Sequence, residues 1–545
     1  MSAAAADATA LQLNLVQRVN MADALVRTAR RVPDREAIVD GEERMTYVEL
    51  VAAVSRLAHG LLARGYRRHD SLAVLSGNST EFLITYFACA QIGVVVVPLS
   101  LVWRERELSY VLQHSRARGL VVEAQLLDTV AGALEESPDV TDVLVARGTA
   151  DAGTWESVAA RHTPLAAVAE GQSERPAEVY VADRDPLSYM YTSGTTAAPK
   201  GVVSSHLALY LGSLTAAHEM RFTSDDRMSG MMPLFHIAQL NAFATPVLMV
   251  GGTVVLMRGF NAEILLSTIE RERLTFLFAL PKMYRELIDH PSIPTRDLSS
   301  LRRAGYAMAP LPMNDLLRAM DVLGCEFSLG FGQTEMVPMT TIFQPQQQLS
   351  HHGSVGTQVV NVQIEIMGPD GTLLPRGASG EIVYRGPHAL QEYLNDESAT
   401  RASVAHGWFH SGDLGHFDDD GVLWFEDRSK DVIKTGGENV ASLEVERAIY
   451  ESEPRVKEVA VVGLPHPDWV EAVTALVIPH DDALTAQDVS AALASALPAY
   501  KRPKSVIVVD DFPRTATGKI QKNVLRQEHA AHYDRETPGA AAHLR

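Results

Sequence analysis

The chain has 545 residues, 46% of them hydrophobic, with 67 acidic against 48 basic side chains for a net charge of −19. That length asks for two or more domains, and the apolar content excludes a disordered chain. The acidic balance argues against a nucleic-acid binder, and the two cysteines, Cys89 and Cys325, sit in apolar surroundings with no metal-site or disulfide-framework spacing.

The first ten residues, M-S-A-A-A-A-D-A-T-A, lack the basic region and apolar run of a signal peptide. In the opening third, Leu72–Leu75 reads as a strand, Thr80–Gln91 as a helix and Val94–Pro98 as a β-branched strand. Arg104–His114 follows as a helix and Leu120–Val122 as a strand. This alternation argues for an α/β fold, a parallel sheet covered by helices on both faces. Residues 147–186, rich in Ala, Gly, Pro and charge, read as a surface connection. Alternation resumes after Leu187 with helix-like Ile237–Val250, strand-like Thr253–Leu256, helix-like Asn261–Arg273 and strand-like Thr275–Ala279. Two stretches, 82–103 and 228–257, carry no Asp, Glu, Lys or Arg, but Gly and Pro break both. They read as buried helix–turn–strand units of a soluble cytoplasmic protein and not as membrane spans.

Between Gly356 and Tyr384 the pattern changes to short alternating runs around Pro369-Asp370-Gly371, which suggests a small antiparallel sheet or barrel. The last hundred or so residues read as a compact α+β lid, with strands at Val456–Val462, Ala472–Ile478 and Ser505–Val509 around a helix at Ala486–Ala496. The tail after Arg526 is polar and Ala-rich and reads as loosely ordered.

Residues Tyr191 to Val202 read Y-T-S-G-T-T-A-A-P-K-G-V. Thr192, Ser193, Thr195 and Thr196 supply hydroxyls, Gly194 and Gly201 let backbone N–H groups approach an anion, and Lys200 adds a mobile charge. This is the chemistry of a phosphate cradle, although such a loop alone is more often a solvated turn. The Walker spacing G-x-x-x-x-G-K-S/T is absent.

Four further segments follow in order: Gly330-Phe331-Gly332-Gln333-Thr334-Glu335, then Gly407-Trp408-Phe409-His410-Ser411-Gly412-Asp413, then 427–439, and finally Pro513-Arg514-Thr515-Ala516-Thr517-Gly518-Lys519. Together with the cradle they resemble the core motifs of the adenylate-forming superfamily of acyl-CoA synthetases, adenylation domains and luciferases, from about Ala22 to Arg526. The resemblance implies a large N-terminal domain over residues 1–427, a hinge at Lys430 and a small mobile C-terminal lid over 428–545. It implies ATP, Mg²⁺ and CoA as cofactor and co-substrates.

Within that resemblance the nucleotide contacts fall to Thr192, Ser193, Gly194, Thr195, Thr196, Lys200, Ala309, Pro310, Gly330, Phe331, Gly332, Gln333, Thr334, Asp413, Arg428 and Lys519. Glu335 suits a hard Mg²⁺ ion, which prefers carboxylate and phosphate oxygens. Thr334 is placed to donate to the α-phosphate, and Phe331 stands where tyrosine is usual, keeping the stacking face and losing the hydroxyl. Asp413, acceptor-only when ionised, suits the ribose hydroxyls. Lys519 is the expected bridge between substrate carboxylate and α-phosphate, and Gly436, Gly437 and Glu438 fall on the CoA side.

The expected acyl pocket comprises His236, Ile237, Gln239, Leu240, Gly305, Tyr306, Ala307, Met336 and Val337. Relatives that activate amino acids carry aspartate where this chain has His236, so the expected substrate is a neutral-bodied carboxylic acid without an α-amino group. Departures from the family pattern are Ala197, Met308, Glu392 and Val470 at positions where glycine is common or the strand is Gly-richer, and Ser442 where proline is common. The expected activity is an acid–thiol ligase that makes an acyl-adenylate and passes the acyl group to CoA. A carrier protein in trans as acceptor, a non-catalytic adenylate-binding relative and a P-loop NTPase are the alternatives. Which acid is used and the oligomeric state stay open.

Overall fold

The computed structural model describes residues 3–192, 199–308, 311–480, 483–515 and 518–533. They divide into two compact units, Met1–Gln363 with Arg385–Phe409, and Ile364–Tyr384 with His410–Arg545. The division follows strand pairing and not chain order. Segments 364–384 and 410–427 belong with the C-terminal part because the strands Gly380–Arg385, Trp408–Phe417 and Leu423–Arg428 share one sheet.

The first unit holds two large sheets. One runs, from edge to edge, Glu392–Tyr393, Lys200–Ser205, Pro186–Thr192, Val95–Pro98, Ser71–Leu75, Ala117–Glu123, Asp142–Ala146 and Thr163–Pro164. Its central strands are parallel and buried on both faces, as the unbroken runs of Val, Leu and Ala require. The other sheet has six parallel strands, Glu36–Asp40, Thr253–Leu256, Arg227–Gly230, Phe276–Phe278, Arg303–Tyr306 and Glu326–Gly332, flanked by antiparallel edges. Asn78, just after Ser71–Leu75, ties the sheets together: its amide nitrogen lies 2.9–3.0 Å from the carbonyls of Gly230, Met232 and Met257, and its oxygen accepts from Leu234 N–H.

Local signals account for the helix ends. Ser79 caps Thr80–Ile92 and Gly93 closes it in the left-handed region at φ 72°. Asn261 caps Ala262–Glu272 in the same way. The first charge-free stretch is a buried helix followed by the strand Val95–Pro98. Among the described residues no helix is long and apolar enough to cross a membrane.

Three segments differ from the reading of the sequence. Residues 147–186 are not a bare connection: they contain the helices Ala152–Ala159 and Leu165–Ala169 and an edge strand, too short to leave a hydrophobic period. The span 237–250 is helical, but Ala238–Ala244 is a π-helix that continues as the α-helix Thr245–Val250. The tail is packed as far as Tyr533, which is 3% exposed and whose hydroxyl pairs with Thr474 at 2.9 Å.

The second unit contains two smaller sheets. The strands Val456–His466 and Val470–Pro479 form a long antiparallel pair, extended by Ser505–Val508 and by the hairpin of Ile433–Thr435 and Glu438–Val440. Gly436 and Gly437 form its two-residue turn with φ of 58° and 87°, the backbone that a type I′ hairpin demands.

Candidate functional site

In the first unit, the strands Pro186–Thr192 and Lys200–Ser205 pair antiparallel with Thr192 opposite Lys200, so the expected cradle is the connection between them. Ser193, Gly194, Thr195, Thr196 and Ala197 lie outside the described residues, as do Ala309 and Pro310. Lys200 is half-buried, and its ammonium stands 5.0 Å from the ring centre of Tyr393, a cation–π distance. Tyr393 is fixed in turn by strand pairing with Val202. Its hydroxyl donates to Glu335 Oε1 at 2.9 Å, and Leu390 N–H donates to the Glu335 carbonyl at 2.6 Å. Burial, then the Glu335 charge, push the Tyr393 phenol far above its ordinary range, so it is a permanent donor. Tyr393 thus touches both charged groups expected at the phosphates. The sequence did not point to it, because Glu335 is 58 residues away.

The strand Glu326–Gly332 delivers Glu335 into a short 3₁₀ turn, Thr334–Met336. A side chain at Gly332, at φ 153°, would meet the Pro338 carbonyl oxygen at 1.9 Å, so glycine is obligatory there. Gln333 Nε2 is buried and, among the described residues, has no hydrogen-bond partner, a donor next in sequence to Thr334.

The residues expected at the acyl group lie on elements of this unit that pack on one another. Phe243 of the π-helix stacks on Phe278 at 4.0 Å, and Phe278 pairs in register with Gly305. The helix His206–Glu219 packs on the π-helix, and Gly212 lies so close to the Val337 carbonyl that a Cβ would stand 2.4 Å from it. Ile237, Leu240, Met336 and Val337 are buried, and Ala307 is half-buried. Tyr306 is buried too, but its hydroxyl is committed to Gln348 Oε1 at 2.8 Å. His236 accepts from Ala238 N–H through Nδ1 at 3.2 Å, and burial pulls its pKa down to about 4, leaving it neutral. Met308 holds φ 71° with an exposed side chain, the backbone that a glycine would take without strain.

In the second unit, Asp413 and Arg428 face each other across an antiparallel pair, with Arg428 Nε 3.6 Å from Asp413 Oδ1. Asp413 is 7% exposed. Lys519 shares their surroundings. The side chain keeps open surface, yet crowding around its ammonium and then the Arg428 charge lower its pKa to about 7, against opposing pulls from Asp413 and Asp431. The ammonium's local surroundings govern its proton, whatever the exposure of its stem. Lys430 is also lowered, first by desolvation and then by the Arg428 charge, with Asp431 pulling the other way. Asp427 accepts from both the N–H and the hydroxyl of Ser442, a donor pair that proline at 442 could not supply. Lys522 completes the network through Ser442 Oγ at 2.6 Å and Glu446 at 2.7 Å.

Among the described residues no group of three or more His, Cys, Asp or Glu could hold a metal ion. One positioned carboxylate, Glu335, fits a hard cation that takes its remaining ligands from nucleotide phosphates and water.

With this geometry in hand, comparison with known proteins is direct. Residues 25–394 match the model of the AMP-binding enzyme family, and residues 444–519 match the AMP-binding enzyme C-terminal domain. The chain belongs to the AMP-binding enzyme family, the adenylate-forming class that its motifs resemble. A feruloyl-CoA synthase of Amycolatopsis sp is 36% identical over 92% of this chain and 97% of its own length. An indoleacetate–CoA ligase of Aromatoleum aromaticum is 35% identical over 92% and 96%. The crystal structure of ATP-bound MatB from Rhodopseudomonas palustris superposes with a TM-score of 0.85 at 30% identity, covering 94% of this chain and 100% of that one.

Proposed function

We propose that the chain is an AMP-forming acyl-CoA ligase acting on a neutral-bodied carboxylic acid, with an aryl or arylalkanoic acid as the first candidate. In the first half-reaction the acid's carboxylate oxygen attacks the α-phosphorus of ATP, forming acyl-adenylate and releasing pyrophosphate. In the second, the CoA sulfur attacks the acyl carbon, the bond to AMP breaks, and the thiol proton leaves to solvent or base. The observation that carries this reading is the shared surroundings of Lys519, Asp413 and Arg428. A hydrolase or a simple binder needs no lysine beside a ribose-type carboxylate, whereas adenylation needs a cation at two converging anions.

The roles follow from the chemistry. Asp413 accepts from ribose hydroxyls, Arg428 steadies the nucleotide, and Lys519 in its ammonium form neutralises carboxylate and α-phosphate as they meet. Glu335, oriented by Tyr393, would hold Mg²⁺, which supplies charge neutralisation to the phosphates when bound. Lys200 and Gln333 add donors at the phosphates. His236, neutral, leaves the acyl pocket without the charge that a substrate ammonium would need. The relatives' named substrates, ferulate and indoleacetate, favour an aromatic acid body. Gly436 and Gly437 shape a hairpin tip suited to close approach of the thiol, with Glu438 beside it, and the reaction is expected in the cytoplasm.

The test is pyrophosphate release over a panel of aromatic, arylalkanoic, straight-chain and α-amino acids, with CoA present or absent. Neutral-bodied acids should release pyrophosphate, and CoA should convert the signal from a single burst to turnover. Fastest release with an amino acid would overturn the substrate reading, and turnover with a carrier protein but not with CoA would move the acceptor.

A further inference from the structure

Ser442 is 0% exposed and opens the helix Ser442–Ser452. A first helical position suits proline, because the N–H that proline lacks has no partner within the helix. Ala441 before it already holds the extended backbone that a following proline requires, at φ −69° and ψ 120°. Serine at this position instead makes bonds outside the helix. Its N–H and its hydroxyl both donate to Asp427 Oδ2, at 2.5 and 2.7 Å, and its oxygen accepts from the Lys522 ammonium at 2.6 Å. Asp427 is 2% exposed, and its other oxygen takes the Arg428 N–H at 2.8 Å. Ser442 thus joins a buried carboxylate to an ammonium, and hydrogen bonds to charged groups are the strong ones.

The chain sets what these bonds hold together. Asp427 precedes Arg428, and Lys522 opens the helix Lys522–Glu528 three residues after Lys519. The same helix reaches the chain just beyond Lys430 through Arg526, whose guanidinium donates to Asp431 Oδ1 at 2.8 Å. Asp431 N–H in turn donates to the Arg428 carbonyl at 2.8 Å. The helix that follows Lys519 is therefore tied to both sides of Lys430, and Lys519 is kept where the charges of Arg428 and Asp413 act on it. This inference rests on the acyl-ligase reading above, in which Lys519 bridges carboxylate and α-phosphate first and the thiol reaches the same acyl carbon afterwards. One segment cannot fill that space in the first step and leave it open in the second. We infer that Ser442, together with Lys522, is a positioning residue that latches the Lys519 segment in the adenylating orientation, and that this latch opens before the thioester forms. Both side chains act through Lys519.

The experiment measures the two half-reactions separately, in single turnovers of the full chain. One follows acyl-AMP formed from ATP with cinnamate, phenylacetate or octanoate in the absence of CoA. The other follows acyl-CoA formed from CoA and the supplied acyl-adenylate of the fastest of these acids. Ser442→Ala, Ser442→Pro and Lys522→Met each weaken the latch, and in each the ratio of thioester rate to adenylation rate should rise about tenfold or more. That is the size expected for losing a hydrogen bond to a charged group. Ser442→Thr keeps both donors and should leave the ratio near that of the unaltered enzyme. Should Ser442→Pro fail to fold, Ser442→Ala retains the N–H bond to Asp427 and decides the matter. Equal loss of both half-reactions would reduce Ser442 to a structural support and overturn the inference. An unchanged or lower ratio would overturn it too, as would a threonine variant shifted as far as the alanine. No acyl-AMP from any of the three acids with the unaltered enzyme would instead overturn the ligase reading itself.

Discussion

The hydroxyl of Tyr393 donates to Glu335 Oε1 at 2.9 Å. Because Lys200 stands 5.0 Å from the same ring, one tyrosine on an edge strand sets the positions of both a cation and an anion expected at the nucleotide phosphates. Tyr393→Phe keeps the ring and the cation–π contact and removes only the bond to Glu335. A hydrogen bond to a charged group is worth about 1.5–3 kcal/mol, so the Mg²⁺ concentration for half-maximal pyrophosphate release should rise about tenfold or more. An unchanged Mg²⁺ dependence would show that Glu335 is oriented without Tyr393.

Lys519 gives a pH signature. Its folded pKa of about 7 lies below the ordinary 10.5, and the bridging role needs the ammonium. The active form therefore predominates below about pH 7, and kcat/KM for adenylation should fall as pH rises through that value, approaching tenfold per unit. The same shift makes stability rise with pH between about 7 and 10.5, where the unfolded chain still holds the proton. Lys519→Arg should lower the rate but abolish the alkaline limb, since a guanidinium stays charged. An alkaline limb that survives in the arginine variant belongs to another group.

Much of this was legible in the sequence, and the misses share a cause. Asp413, Arg428 and Lys519 were found as motifs, but their convergence depends on strand register that a linear spacing of 15 or 91 residues does not carry. The helical stretch at 237–250 was readable from its apolar run, yet the π-turn was not, because side-chain spacing does not report which carbonyl each N–H reaches. The Gly436-Gly437 pair entered the sequence reading only as a CoA-side motif; the structure makes it a hairpin turn and adds a steric reason for glycine, since a Cβ on Gly436 would meet the Trp469 ring at 2.8 Å. The departure at Val470 was visible as a residue out of place, and its consequence is now specific.

Val470 holds φ 68° with its side chain 72% exposed. A β-branched residue in the left-handed region is strained by about 1–2 kcal/mol, and glycine's extra unfolded-state freedom offsets about half of that. Val470→Gly should therefore stabilise the second unit by about 0.5–1 kcal/mol in urea unfolding. A loss of stability would mean that Val470 is held by contacts outside the turn.

The expected hinge at Lys430 is bracketed by the bond from Ser442 to Asp427, which holds its two flanks in one orientation. Lys430→Pro fixes φ near roughly −65° and should restrict rotation there. Acyl-adenylate should still form, while thioester formation should drop at least about tenfold; Lys430→Ala should be mild. Equal loss of both half-reactions in the proline variant would place the pivot elsewhere.

The most direct test of the account follows α-labelled ATP by rapid quench with a neutral-bodied acid, first without CoA and then with it. The account predicts acid-dependent acyl-AMP and pyrophosphate in the absence of CoA, then AMP and thioester in equal amounts when CoA is added. ADP as product, or nucleotide cleavage that ignores the acid, would contradict it.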